Sequence, residues 1–139
     1  MRSDEQLHQI GTVAERVGLS LRTIRHYEEV GLVVPSGRSA GGFRLYTDGD
    51  VERLEQVKVM KPLGFTLEET AEILELRAAG AAGTLDTARL DQLSSYADRA
   101  EAQLLHLTRQ LSRARSFAAS VREEVDLIGS GAVAQLPPR

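Results

Sequence analysis

From Leu90 to Ile128 apolar residues recur at alternating steps of three and four: Leu90, Leu93, Ala97, Ala100, Leu104, Leu107, Leu111, Ala114, Ala118, Val121, Val125 and Ile128. A run without a slip over about five heptads is the a/d seam of a coiled coil, and it commits the segment to one long helix. Such a helix reaches roughly 60 Å at 1.5 Å per residue. The preceding part of the chain is too small to cover that length, so the expected partner is a second copy of the chain. The residues expected to bury in that dimer are Leu93, Ala97, Ala100, Leu104, Leu107, Leu111, Ala114, Ala118 and Val121.

Flanking charges favour an antiparallel arrangement. In a parallel dimer the g and e′ neighbours would be Tyr96 with Glu101, Gln103 with Thr108, Gln110 with Arg115 and Phe117 with Arg122, none of them an opposite-charge pair. An antiparallel pair centred near Arg109 sets Glu101 against Arg115 of the other copy twice, and packs Leu107 on Leu111. Exposed pairs of this kind contribute only about 0 to 1 kcal/mol, enough to tip an orientation and no more.

The chain has 139 residues, a formal net charge of -3 and no cysteine. Without cysteine there is no disulfide, thiolate metal site, redox thiol or cysteine-held iron–sulfur cluster. The acidic balance argues against nonspecific coating of nucleic acid, so any DNA contact must come from a local patch. Such a patch lies between Arg16 and Tyr46, where Arg16, Arg22, Arg25, Arg38 and Arg44 face only Glu28 and Glu29. The opening residues MRSDEQLHQIG offer no apolar stretch for a signal peptide, and no run reaches membrane-spanning length. A cytoplasmic, nucleoid-associated location is the resulting expectation.

Ahead of the seam the chain is punctuated by caps. Thr12 and Glu15 have the spacing of a capping box, and Gly18 ends that helix after about two turns. Ser20 caps a second helix that runs to Val30 and stops at Gly31, with Leu21, Ile24 and Val30 inside and Arg22, Thr23, Arg25 and His26 outside. Two short helices across a Gly-Leu-Ser turn form a helix-turn-helix. Leu32 to Pro35 and Phe43 to Tyr46 read as strands around the loop SGRSAGG, with Phe43 and Leu45 toward the core and Arg44 and Tyr46 outward. Asp48 or Asp50 caps a third helix with Val51, Leu54 and Val57 on its inner side, closed by Lys61-Pro62. Thr66 and Glu69 form a further capping box for a fourth helix bearing Leu67, Ala71 and Leu74. The expected organisation is a domain over 1–77, a linker over 78–86 containing AAGAAGT, the coiled-coil helix over 87–128 and a flexible tail over 129–139.

Three segments, IGTVAERVGLSLRTIRHYEEVGL (Ile10 to Leu32), RSAGGFRLYTDGDVERL (Arg38 to Leu54) and KPLGFTLEETAEIL (Lys61 to Leu74), together resemble the MerR family of transcriptional regulators. They cover most of the first 77 residues in the family's order and spacing. The resemblance implies a mainly α fold: a winged helix-turn-helix with a short β-hairpin wing, then a dimerising helix in an antiparallel coiled coil. It also implies a homodimer on a pseudo-palindromic promoter with overlong spacing, activating RNA polymerase by bending and untwisting the DNA.

The residues suit that task. A helix N-terminus in the major groove presents Ser20, Arg22 and Thr23, with Arg22 able to pair bidentately with guanine. One turn later come Arg25, His26 and Tyr27; Tyr27 is equally a core ring or a backbone contact. On the hairpin Arg38, Arg44 and Tyr46 would grip phosphates, with Gly41 and Gly42 allowing close approach. Lys61 either touches phosphate or simply complements a helix C-terminus.

His8, His26 and His106 are scattered without ligand spacing, so no metal or other cofactor is expected. No nucleophile–base pair or phosphate loop points to an enzyme. Without cysteines, thiolate metal sensing and iron–sulfur redox sensing are excluded. The signal remains open between a small ligand, a protein partner and control by abundance. Two other classes stay in view: an architectural or recombination accessory protein that bends DNA without a promoter role, and a coiled-coil interaction protein that has lost DNA binding. Intact Arg22, Arg25, Arg38 and Arg44 argue against the second.

Overall fold

The computed structural model describes residues 6–131. Its elements follow in the order β1 (Leu7–Gln9), α1 (Ile10–Val17), α2 (Leu21–Glu29), β2 (Gly37–Arg38), β3 (Arg44–Thr47), α3 (Asp48–Met60), a 3-10 turn (Lys61–Leu63), α4 (Leu67–Ala81) and α5 (Thr87–Gly129). The chain divides into two compact units, Met1–Ser94 and Ser95–Arg139.

In the first unit a three-stranded antiparallel sheet has the order β1-β3-β2. Val13, Val17, Ile24, Leu54, Val57 and Leu76 meet in the core beside it. The mainly helical winged helix-turn-helix is therefore present, with one strand more than expected. β1 pairs Leu7 with Thr47 and Gln9 with Leu45. Because the pairing runs to Gln9, α1 begins directly after it, with Gln9 as an N-cap that makes no side-chain bond. Thr12 therefore lies inside the helix and is not its cap.

The second helix begins as expected, with the Ser20 hydroxyl accepting from the Thr23 N–H at 3.1 Å. Its end is a Schellman motif: Gly31 at φ 74° donates to Glu28 O at 3.0 Å and Leu32 donates to Tyr27 O at 2.9 Å. That closure sends Leu32 and Val33 into the core instead of into a strand. The inner side of α2 is Ile24 and Tyr27; Leu21 and Val30, expected inside, are 39% and 50% exposed.

Thr47, rather than Asp48 or Asp50, caps α3, and Asp50 is the reciprocal member of its capping box. The helix ends at Met60 before Lys61-Pro62, and Gly64 at φ 84° closes the 3-10 turn. Thr66 and Glu69 form the expected capping box of α4, which continues to Ala81, so the first residues of the expected linker are helical. Lys58 of α3 donates to Val17 O at 2.6 Å, placing a cation on the last carbonyls of α1.

In the second unit α5 continues as a single helix to Gly129, part of a 43-residue element. Leu104, Leu111, Val121, Val125 and Ile128 are 57%, 50%, 40%, 49% and 56% exposed. Leu107 is half-buried, and Ala97, Ala114 and Ala118 are exposed. Of the expected tail, residues 132–139 lie outside the described residues.

Candidate nucleic-acid interface

Each side chain of the reading surface owes its position to one of these caps and turns. Ser20 sets the first turn of α2, where its hydroxyl also donates to Thr23 Oγ1 at 2.8 Å. Arg22, Arg25 and His26 share one exposed side of that helix with Glu29. The opposite side is buried, and Tyr27 goes with it at 4% exposure, so the core reading of Tyr27 is the one observed. Burial also raises its phenol pKa above the ordinary value.

The hairpin is tighter than its seven-residue loop suggested. Register pairs Gly37 with Leu45 and Arg38 with Arg44. Ser39 N donates to Phe43 O and Gly42 N to Ser39 O, each at 2.9 Å, with Gly42 at φ 80°. Gly42 thus supplies the left-handed residue that a three-residue hairpin loop requires. At Gly41 a β-carbon would come within 3.1 Å of the Phe43 ring, so its smallness serves the turn itself.

The strand parity expected for the wing is reversed at its ends. Tyr46 is fully buried, its hydroxyl lacks a hydrogen-bond partner among the described residues, and burial raises its pKa. It cannot reach a phosphate from there. Phe43, expected in the core, is 65% exposed. The cause is that β3 is the central strand and packs against both α1 and α3, while Phe43 lies beyond it at the hairpin tip.

Arg38 and Arg44 do not stand alone. Arg38 Nη2 donates to Glu28 Oε1 at 2.9 Å, Arg38 Nη1 donates to Gly42 O at 3.3 Å, and Arg44 Nε donates to Glu28 Oε2. The Arg44 guanidinium is held above its ordinary pKa chiefly by that bond to Glu28. Sequence reasoning counted Glu28 beside Glu29 as the acids of a basic stretch and missed its role as the partner of both wing arginines.

Lys61 joins α2 from another direction. It lines a groove of about 480 Å³ with Arg22, Thr23, His26, Tyr27 and Phe65, and no acidic side chain lines it. Arg16, by contrast, belongs to a separate cluster, 3.2 Å from His8 Nε2 and 3.7 Å from Asp48 Oδ1. Among the described residues no group of three or more His, Asp and Glu could hold a metal. None of the described helices is long and apolar enough to cross a membrane.

A cationic helix face beside a hairpin wing is common to many DNA-binding folds, and comparison with known proteins decides among them. The model of the MerR HTH family of regulatory proteins matches residues 9–76. The chain belongs to the MerR family.

It is 38% identical over 117 residues to the HTH-type transcriptional regulator YfmP of Bacillus subtilis, covering 78% of this chain and 84% of that protein. It is 44% identical over 72 residues to the HTH-type transcriptional activator TipA of Streptomyces coelicolor, covering 52% of this chain but only 28% of TipA. Among solved structures, HiNmlR, a MerR-family regulator lacking the sensor domain and bound to promoter DNA, aligns with a TM-score of 0.62 and 25% identity. That alignment covers 94% of this chain and 100% of HiNmlR. TipA and YfmP are both named as transcriptional regulators, and the chain spans less than half the length of several of the curated relatives it matches.

Proposed function

We propose that this MerR-family chain acts as a homodimer that reads a pseudo-palindromic promoter, one α2 per half-site. Arg22 contacts base edges from the start of α2, with Ser20 and Thr23 against phosphate, while Arg25 and His26 face the backbone one turn later. Arg38, Arg44 and Lys61 grip flanking phosphates, and Gly41 and Gly42 keep the hairpin slim near the duplex. The observation that carries the reading is the shared exposed side of Arg22, Arg25 and His26 on the helix that Ser20 caps. HiNmlR, similar over 94% of this chain, binds promoter DNA, which supports the same role here.

Residues 1–77 form the reading domain in this proposal, and 87–128 the dimerising helix. The uncovered Leu104, Leu111, Val121, Val125 and Ile128 support a partner helix, and the Glu101–Arg115 match favours the antiparallel orientation. Bending and untwisting the spacer DNA for RNA polymerase would be the mode of action, in the cytoplasm at the nucleoid. The architectural alternative is not favoured, because the relatives carry regulator names.

A footprint on the DNA upstream of its own coding region, with and without cell extract, tests binding and effector together. Two protected half-sites flanking promoter elements of unusually long spacing are expected. Dispersed protection without half-sites would reject the promoter-specific reading.

A further inference from the structure

Arg38 and Arg44 are cross-strand partners on a hairpin whose outer strand is only two residues long. Like charges directly opposite each other destabilise an antiparallel pair. β2 consists of Gly37 and Arg38, so it brings no apolar side chain to offset that repulsion. The compensating charge comes from α2: the Glu28 side chain, 19% exposed, accepts from both arginines. One carboxylate on the reading helix therefore holds both cations of the wing.

The bonds leave the arginines usable. A guanidinium carries five N–H donors, and Glu28 and Gly42 O engage only part of each set. Arg38 and Arg44 keep 48% and 29% side-chain exposure.

We propose that Glu28 is a positioning residue that sets the distance between the base-reading face of α2 and the phosphate-gripping wing, and thereby determines sequence specificity. The inference rests on the proposed phosphate role of Arg38 and Arg44. Its consequence runs against simple electrostatics. Deleting a negative charge beside DNA should strengthen binding to any sequence. A released wing, however, must be ordered again on every specific encounter, whereas loose arginines still find phosphates on arbitrary DNA.

The test uses the full chain, a duplex selected by the wild-type protein from a random-sequence library, and a scrambled duplex of equal composition. Fluorescence anisotropy across a salt series gives both affinities for Glu28→Gln and for Glu28→Asp, which keeps the charge but shortens the reach. The ratio of specific to scrambled affinity is expected to fall in both by about tenfold per half-site, or about a hundredfold for the dimer, the scale of re-ordering two arginine side chains in each copy. Affinities that rise together, or fall by one common factor with a lowered melting temperature, overturn the proposal. A ratio reduced in Glu28→Gln alone assigns the effect to charge and also overturns it. Arg38→Gln and Arg44→Gln separate the underlying reading: each should lower the salt slope by about two, one per copy in the dimer. Unchanged slopes there reject the phosphate role, and the positioning proposal with it. Lowered slopes with an intact ratio in the Glu28 variants reject the positioning proposal alone.

Discussion

The imidazole of His8 reaches from β1 to the first residue of α3, with Nε2 2.7 Å from Asp48 Oδ1. This bond ties the edge strand to the helix that follows the wing, and Asp48 also sits where a negative charge favours a helix N-terminus. The hydrogen bond from His8, aided by the charges of His8 and Arg16, holds the Asp48 carboxyl below its ordinary pKa. A depressed folded-state value means the stabilisation is complete above the unfolded pKa of about 3.9 and is lost as pH falls through the folded one. Asp48→Asn should therefore lower the melting temperature at neutral pH, and the gap to wild type should close below about pH 4. A gap that stays constant from neutral to acid pH would remove the ionised pair from the account.

Tyr46 gives a prediction of opposite sign. Its buried hydroxyl has no hydrogen-bond partner among the described residues, and an unmade bond of this kind costs about 1 to 3 kcal/mol. Tyr46→Phe is expected to raise unfolding free energy by about 1 kcal/mol. DNA affinity should be unchanged, because the ring lies wholly inside the protein. A marked loss of affinity in the variant would restore Tyr46 to the interface.

These two residues mark where the sequence was and was not legible. Ser20, Gly31, Thr66 and the length of α5 follow from neighbours within a few positions, so local spacing reveals them. β1 has only three residues, and its pairing with β3 joins positions about forty apart, so no local pattern announces it. Alternation failed at the end of β3, where Tyr46 and Thr47 are buried side by side because the strand runs directly into α3 and Thr47 turns to cap it. Glu28 was invisible as a staple because its meaning lies in two arginines brought together only by the hairpin register.

The shifted caps can be measured directly. Thr47→Ala removes an N-cap whose hydroxyl accepts from Asp50 N at 3.1 Å and should cost about 1 kcal/mol in chemical denaturation. Thr12→Ala should cost far less, since α1 starts at Ile10 and leaves Thr12 exposed within the helix. Equal losses from the two substitutions would contradict the observed start of α1.

Arg22→Ala separates reading from gripping. If the guanidinium pairs with a base, affinity for the selected duplex falls by about 1 to 3 kcal/mol and preference at one base position relaxes. Arg25→Ala, one turn further along, should instead weaken all sequences alike and lower the salt slope by about two, one per copy in the dimer. A uniform loss in Arg22→Ala would assign it to phosphate.

The seam of α5 can be tested for both existence and orientation. Leu111 is 50% exposed on the single chain, and Leu111→Asp would bury a carboxylate in the proposed dimer, a cost that association cannot offset. Sedimentation should show monomers; a dimer of undiminished stability would move the interface elsewhere. Orientation follows from cross-linking, made clean by the absence of cysteine. In an antiparallel pair centred near Arg109, position 104 meets position 114 of the other copy, whereas in a parallel pair position 104 meets itself. Leu104→Cys alone should therefore form no intermolecular disulfide, and Leu104→Cys combined with Ala114→Cys should form one readily, because bridging requires α-carbons within about 7 Å. Ready cross-linking of the single variant would reverse the orientation and, with it, the geometry by which two copies of α2 face one operator.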